Sequence, residues 1–239
     1  MSGVNHRALK IFGNHFGGRF RHPAFLRRHG FGPDVFLFRN LESGQVMYTQ
    51  LPFPQAYNIK TQFQNPNWQN RLPDIRRDIW RPMAMAQLPS YPLAVELYES
   101  LVTLRHYRDK LFKKEANGWR KRNDDGNIWY SGQYRPTYSQ EAVADLASVL
   151  NAFDVETKVL WDGVWRKGQD EFWKTSITHE ELPAFNPRDS YSALRQLGYD
   201  HYLEFQQTEK EAYEAKKAAA GTGAEKPAEA ASTAAAPAN

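Results

Sequence analysis

The stretch DVFLFRNLESGQVMYTQLP (34–52) commits the chain to a β-hairpin. Val35–Phe38 is a run of β-branched and aromatic residues. Asn40–Gly44 supplies turn chemistry, and Gln45–Leu51 is a second strand-forming run, stopped by Pro52 and Pro54. Two such runs joined by a loop of four or five residues pair with each other before anything else. A hairpin needs a further apolar surface, and the rest of the chain supplies helices for it. SYPLAVELYESLVTLRHYRDKLFKKEANG predicts a long helix opened by Pro92, with Leu93, Leu97, Leu101, Leu104 and Leu111 on a buried stripe and Asn117–Gly118 as its stop. A second helix is expected from Thr137, with Thr137 and Gln140 at capping-box spacing and Val143, Leu146, Leu150 and Phe153 on one face.

Shorter elements follow from the same rules. PDIRRDIW predicts a short helix, MAMAQL and TKVLWDGVW predict strands, and NIWYSGQYRP predicts a strand and turn. SYSALRQLGYDHYLEFQQTEKEAYEAKKAAA predicts one or two helices, and from about Gly221 the Ala, Glu, Pro and Thr composition predicts a disordered tail. The fold class expected is α+β: a small antiparallel sheet opened by the hairpin and packed by helices. Its organisation is an extended basic arm (1–33), an α+β nucleic-acid-binding domain (34–205), and a charged helix end with an Ala-rich tail (206–239).

Charge is distributed unevenly along this plan. Residues 1–135 carry 21 Lys and Arg against 10 Asp and Glu, a balance of +11. Residues 136–239 carry 10 against 17, a balance of −7. No acid precedes Asp34. A basic front half points to a polyanionic partner. Three clusters carry it: Arg7, Lys10, Arg19, Arg21, Arg27 and Arg28 in the arm, interleaved with phenylalanines; Arg71, Arg76, Arg77 and Arg81 beside Trp68 and Trp80; and Lys113, Lys114, Arg120, Lys121 and Arg122. Guanidinium forks match phosphate oxygens and stack on rings, and glycine-broken arms follow irregular RNA surfaces. The phenylalanines are expected to pin the arm to protein.

Catalytic patterns are weak. There is no cysteine, so thiol chemistry and disulfides are excluded. The seven histidines do not pair with acids at metal-ligand spacing, and no GxxxxGK[ST] or GxSxG occurs. Asp124–Asp125 before Gly126 reads as a turn. Glu141 and Asp145 share a helix face, where complementing the dipole outweighs metal binding or acid–base work. The hairpin is loosely similar to the strands that open GIY-YIG nucleases. Tyr48 would stand in the second motif, but Gln50 replaces the glycine and the first tyrosine is missing, which leaves a degenerate nuclease as a remote reading. No enzyme activity, metal or cofactor is expected. No segment approaches the ~20 apolar residues of a membrane span. The acid-poor arm resembles an import segment in composition, though glycines break any long amphipathic helix.

FRNLESGQVMYTQ (38–50), NPNWQNRLPDIRRDIW (65–80) and GNIWYSGQYRPTYSQEAVADL (126–146) together resemble the fungal mitochondrial homologous-recombination proteins that are also proteins of the mitochondrial large ribosomal subunit. The resemblance covers about residues 34–150. It implies the mitochondrial matrix, large-subunit rRNA and neighbouring ribosomal proteins as partners, and mitochondrial DNA as a further one. Any DNA pairing would be ATP-independent. Within the last stretch, Arg135 is the best polar contact, and Trp129, Tyr130, Tyr134 and Tyr138 are expected mostly in the core.

Overall fold

The computed structural model describes residues 20–63, 71–186, 188–189 and 191–222, the side chains of the last helix to residue 218. The candidates Arg7, Lys10, Arg19 and Trp68 and the tail from residue 223 lie outside the described residues.

The hairpin forms where the sequence places it. β1 (Asp34–Asn40) and β2 (Val46–Thr49) pair antiparallel, with Leu37 opposite Tyr48. Asn40 shapes the turn: its side-chain oxygen accepts from the Glu42 and Ser43 amides, both at 2.9 Å. Gly44 closes the turn at φ +75°, and a β-carbon there would lie 2.4 Å from the Arg135 carbonyl oxygen. Only glycine satisfies both the left-handed backbone and this close approach.

β3 (Trp80–Gln87) pairs with the other side of β1, β4 (Thr157–Trp161) pairs antiparallel with β3, and β5 (Ile177–Glu181) pairs parallel with β4. The order is β2-β1-β3-β4-β5. The sheet is therefore mixed, where a small antiparallel one was expected. Pro82 sits at a register shift opposite Phe38, a position where a central strand tolerates proline.

The runs VFLF and MAMA are apolar on both faces because both faces are covered. Val35, Leu37, Ala84, Val159 and Trp161 face α3 (Tyr91–His106) and α5 (Pro136–Phe153), which bring Leu97, Leu101, Leu146 and Leu150. Phe36, Phe38, Met85 and Leu160 face Ile59 and Phe63 at α2 (Ala56–Gln62), with Trp80, Tyr191 and Leu194. The β2 edge is closed by side chains. The Gln62 amide accepts from the Tyr48 N–H at 2.9 Å and donates to its carbonyl at 2.6 Å, and Arg105 donates to the Val46 carbonyl. An edge satisfied in this way offers no template for another strand.

The long leucine helix divides. After α3 the chain makes a π-helical turn, Tyr107–Leu111, then α4 (Lys113–Trp119). The extra residue rotates everything downstream, so Leu111 leaves the stripe and is 60% exposed. α5 begins with Pro136, with Arg135 as its N-cap and no side-chain cap, so the expected Thr137–Gln140 box is absent. PDIRRDIW is not helical. Trp80 donates its ring N–H to the Asp74 carbonyl at 2.7 Å and Leu41 donates to the Ile79 carbonyl at 2.8 Å, which holds the segment as a turn into β3.

The end of the arm packs on this body. α1 (Pro23–Arg28) buries Leu26, and Gln50 holds the Arg21 backbone through its amide. α6 (Ser192–Thr222) contributes to the body as far as Leu203, with His201 Nδ1 2.7 Å from buried Asp34. From Glu204 a second unit begins, and its described part is an exposed, charged helix.

Trp161, Trp173 and His179 form a box beside the parallel strands. Trp161 donates its ring N–H to His179 Nδ1 at 3.1 Å, so the neutral ring carries its proton on Nε2. Burial first, then Lys167, holds His179 below its ordinary 6.5. A base depressed on folding binds its proton more readily when unfolded. Stability is therefore fully present above pH ~6.5 and falls as pH drops below it. Because Asp145 shifts stability the other way over the same range, the difference is the readout: between pH 7.5 and 5.5 the urea midpoint of the wild type should change less favourably than that of His179→Gln, and equal changes would refute it.

Candidate nucleic-acid interface

The three cationic clusters meet different fates. In the arm, Arg27 and Arg28 lie exposed in the last turn of α1, where the helix dipole favours cations, and Arg27 sits 4.8 Å over the Tyr91 ring. Arg21 is half-buried, 4.7 Å over Phe25 and 5.3 Å over Tyr57. Phe20 packs against the core, as a pinning role requires.

In the second cluster Arg71, Arg76 and Arg77 are exposed along the turn before β3. Arg76 is paired with Asp78 at the surface, a pair of little energetic weight. Arg81 is half-buried, 4.7 Å over Phe185.

The third cluster divides most sharply. Lys113, Lys114, Lys121 and Arg122 are exposed, and Lys121 lies 5.4 Å over Trp129. Arg120 is not an exposed cation. Its side chain is 8% exposed and donates to Glu141 (2.9 Å to Oε2), with Asp109 at 3.6 Å. Glu141 also meets Arg108 at 3.5 Å, and Arg108 donates to Asp145. Five charged groups thus tie the π-helical turn and α4 to α5. Burial pushes the Asp145 carboxyl up to about 6 despite the Arg108 guanidinium, and its Oδ2 finds no hydrogen-bond partner among the described residues. Glu141 and Asp145 therefore serve as an inter-helix clamp, not as dipole complements.

The remote nuclease reading loses its geometry here. Tyr48 is buried in β2, and Gln50 binds the arm. Asp125 is turn chemistry, accepting from the Asn127 amide at 2.9 Å. Arg135 is half-buried, 5.5 Å over Tyr130, and donates to the Gln133 carbonyl at 3.2 Å. Trp129, Tyr130, Tyr134 and Tyr138 are all half-buried and not core. Ile128 takes the buried position instead.

Sequence reasoning passed over Trp119 and Phe112, 91% and 57% exposed among these cations. Phe112, Ala116 and Trp119 at helical spacing inside the cationic run LFKKEANGWRKR were the available signal.

Known proteins resemble this chain in sequence. Residues 32–115, from the strand-entry glycine through the π-helical turn, match the Mhr1 family, described as "Transcriptional regulation of mitochondrial recombination". The large ribosomal subunit protein mL67 of Debaryomyces hansenii is 48% identical over 187 residues, covering 77% of this chain and 80% of that protein. Its counterpart in Candida albicans is 50% identical over 165 residues (68% and 69%). That of Kluyveromyces lactis is 47% identical over 183 residues (75% and 80%). With identity at this level over two thirds or more of its length, the chain belongs to the mL67 family of large ribosomal subunit proteins.

Proposed function

We propose that the chain is a structural, non-catalytic protein of the mitochondrial large ribosomal subunit, in the matrix, that holds rRNA against its basic surface beside neighbouring ribosomal proteins. The observation that carries the reading is the division of the cations. Arg105, Arg108 and Arg120 are tied into the fold. Arg28, Arg71, Lys113, Lys114 and Lys121 are exposed, and Arg27, Arg77 and Arg122 are exposed while also engaged within the chain, Arg122 through the Asn117 and Gly126 carbonyls. Arg7, Lys10, Arg19 and Trp68 extend the proposed contacts, and Arg21, Arg76, Arg81 and Arg135 border them. The names of the relatives support the ribosomal assignment, and the family description supports the mitochondrial one. Sucrose-gradient sedimentation of organelle lysate tests it. The chain should travel with the large subunit in moderate salt, and recovery among free proteins there would refute it.

The family description also favours mitochondrial DNA as a second polyanion for the same cations. Without a GxxxxGK[ST] loop, pairing would proceed by binding alone. Strand invasion should then occur without ATP.

A further inference from the structure

α4 is an unusual helix. It has seven residues and buries none of them. A helix so short is not stable on propensity alone. What fixes it is polar: Arg120, just past its end, donates to Glu141 on α5 and to the Asn117 side chain. The clamp thus holds an element that contributes nothing to the core.

What α4 does provide is a groove. Phe112, Ala116 and Trp119 line one side, Thr137, Gln140 and Ala144 of α5 the other, and the space between them is about 650 Å³. Arg108, Arg120 and Glu141 contribute to its lining, so part of the wall is polar and hydrogen-bonding. Lys121 and Glu115 complete the lining; Lys113 and Lys114 are exposed on the same short helix, and Arg122 is exposed just beyond its end.

We infer that this groove receives an unpaired nucleobase, stacked on Trp119 with Phe112 beside it, while the flanking phosphates lie on Lys113, Lys114, Lys121 and Arg122. The inference rests on the polynucleotide-binding reading above and assigns it a single-stranded contact. Charge selects the occupant. An apolar face of a protein partner would have to desolvate Lys121 and the charged wall of Arg108, Arg120, Glu115 and Glu141 for a few aromatic contacts. A splayed nucleotide brings its own anions to the cations and offers a planar face to the indole. The polar edge supplied by Gln140, Arg120 and Glu141 then meets the base edge. Duplex is excluded, because its bases are not available to stack.

Full-length chain is titrated against fluorescein-labelled oligo(U) and a G·C hairpin stem over a range of salt. Trp119→Ala should weaken oligo(U) binding about tenfold at every salt concentration, with the slope against log salt unchanged, because stacking releases no counterions. Trp119→Phe should recover most of that loss, and stem binding should move by less than about twofold. Trp119 is 91% exposed, so the substitutions leave the core intact, which circular dichroism checks. Unchanged oligo(U) binding by Trp119→Ala overturns the groove. If replacing the lysines still lowers affinity in that case, the basic interface stands without it. Loss of large-subunit association with intact RNA binding makes the groove a protein-docking site and overturns the inference. Failure of the wild type to bind oligo(U) also overturns it.

Discussion

Arg108→Ala is expected to destabilise the domain by about 3 kcal/mol at neutral pH. Removing one member of a buried ion pair leaves the other uncompensated, a loss of about 3–5 kcal/mol in general. Here the lower end applies, because Asp145 can neutralise itself. Its carboxyl already stands at about 6, so full protonation at pH 7 adds only on the order of 1 kcal/mol. Lost charge-assisted hydrogen bonds to Asp145 and Glu141 supply most of the remainder. The pH profile identifies the cause. Asp145 is raised above its ordinary 3.8, so its folded form holds the proton more tightly, and its contribution to stability declines as pH rises from about 4 to about 6. Without Arg108 that decline continues to higher pH. The deficit of the variant should be small near pH 4, open through pH 6 and be complete by pH 8. Denaturant unfolding of both proteins across this range measures it. The double variant Arg108→Met, Asp145→Leu should lie within about 1 kcal/mol of wild type, because an apolar pair of similar volume carries no desolvation penalty. A single variant as stable as wild type at pH 8 would remove the clamp from the account of this fold.

That clamp marks where local sequence rules end. The hairpin, β3, the two main helices and β4 are legible because each declares itself within a dozen residues: turn chemistry at Asn40–Gly44, apolar runs in VFLF and MAMA, leucines at three- and four-residue steps. PDIRRDIW has a helix-forming composition, yet its backbone is held by Trp80 and Leu41, partners that no local window contains. The π-helical turn has the same origin. Arg105 and Arg108 reach inward to the Val46 carbonyl and Asp145, and the helix adds a residue beyond them before α4. β5 escaped because its pattern is polar: it is an edge strand with Thr178, Glu180 and Glu181 exposed. In the site, the balance of charge was readable and its use was not. Arg120 and Arg122 are alike in sequence, but one is held by an acid twenty-one residues away and the other lies at the surface. Arg108 in the π-helical turn meets both Glu141 and Asp145 of α5, thirty-three and thirty-seven residues away, and only the packing of the two elements brings them together.

The second large effect is on binding. Replacing Lys113, Lys114, Lys121 and Arg122 together by glutamine should lower affinity for single-stranded RNA about a hundredfold at about 0.2 M salt. Each phosphate neutralised on a single strand contributes about 0.7 to the slope of log affinity against log salt, so four lost contacts flatten it by about 2.8. At about 0.2 M the same four contacts amount to about two decades of affinity. The core should be untouched, since all four side chains are exposed and none belongs to the Arg108–Asp145 clamp; Arg122 alone gives up hydrogen bonds, to the Asn117 and Gly126 carbonyls, so the triple variant that keeps Arg122 checks that the loss of binding is one of charge. Glutamine keeps the hydrogen-bonding stem and removes only the charge. Replacing Arg105, Arg108 and Arg120 removes three cations, but it should act on stability and leave the salt slope of the surviving folded fraction alone, because those guanidiniums already face Val46, Asp145 and Glu141. The contrast separates charge that builds the domain from charge that meets a polynucleotide. A quadruple variant that binds RNA with an unchanged slope would place the interface elsewhere on the chain and leave α4 without a reason for its cations.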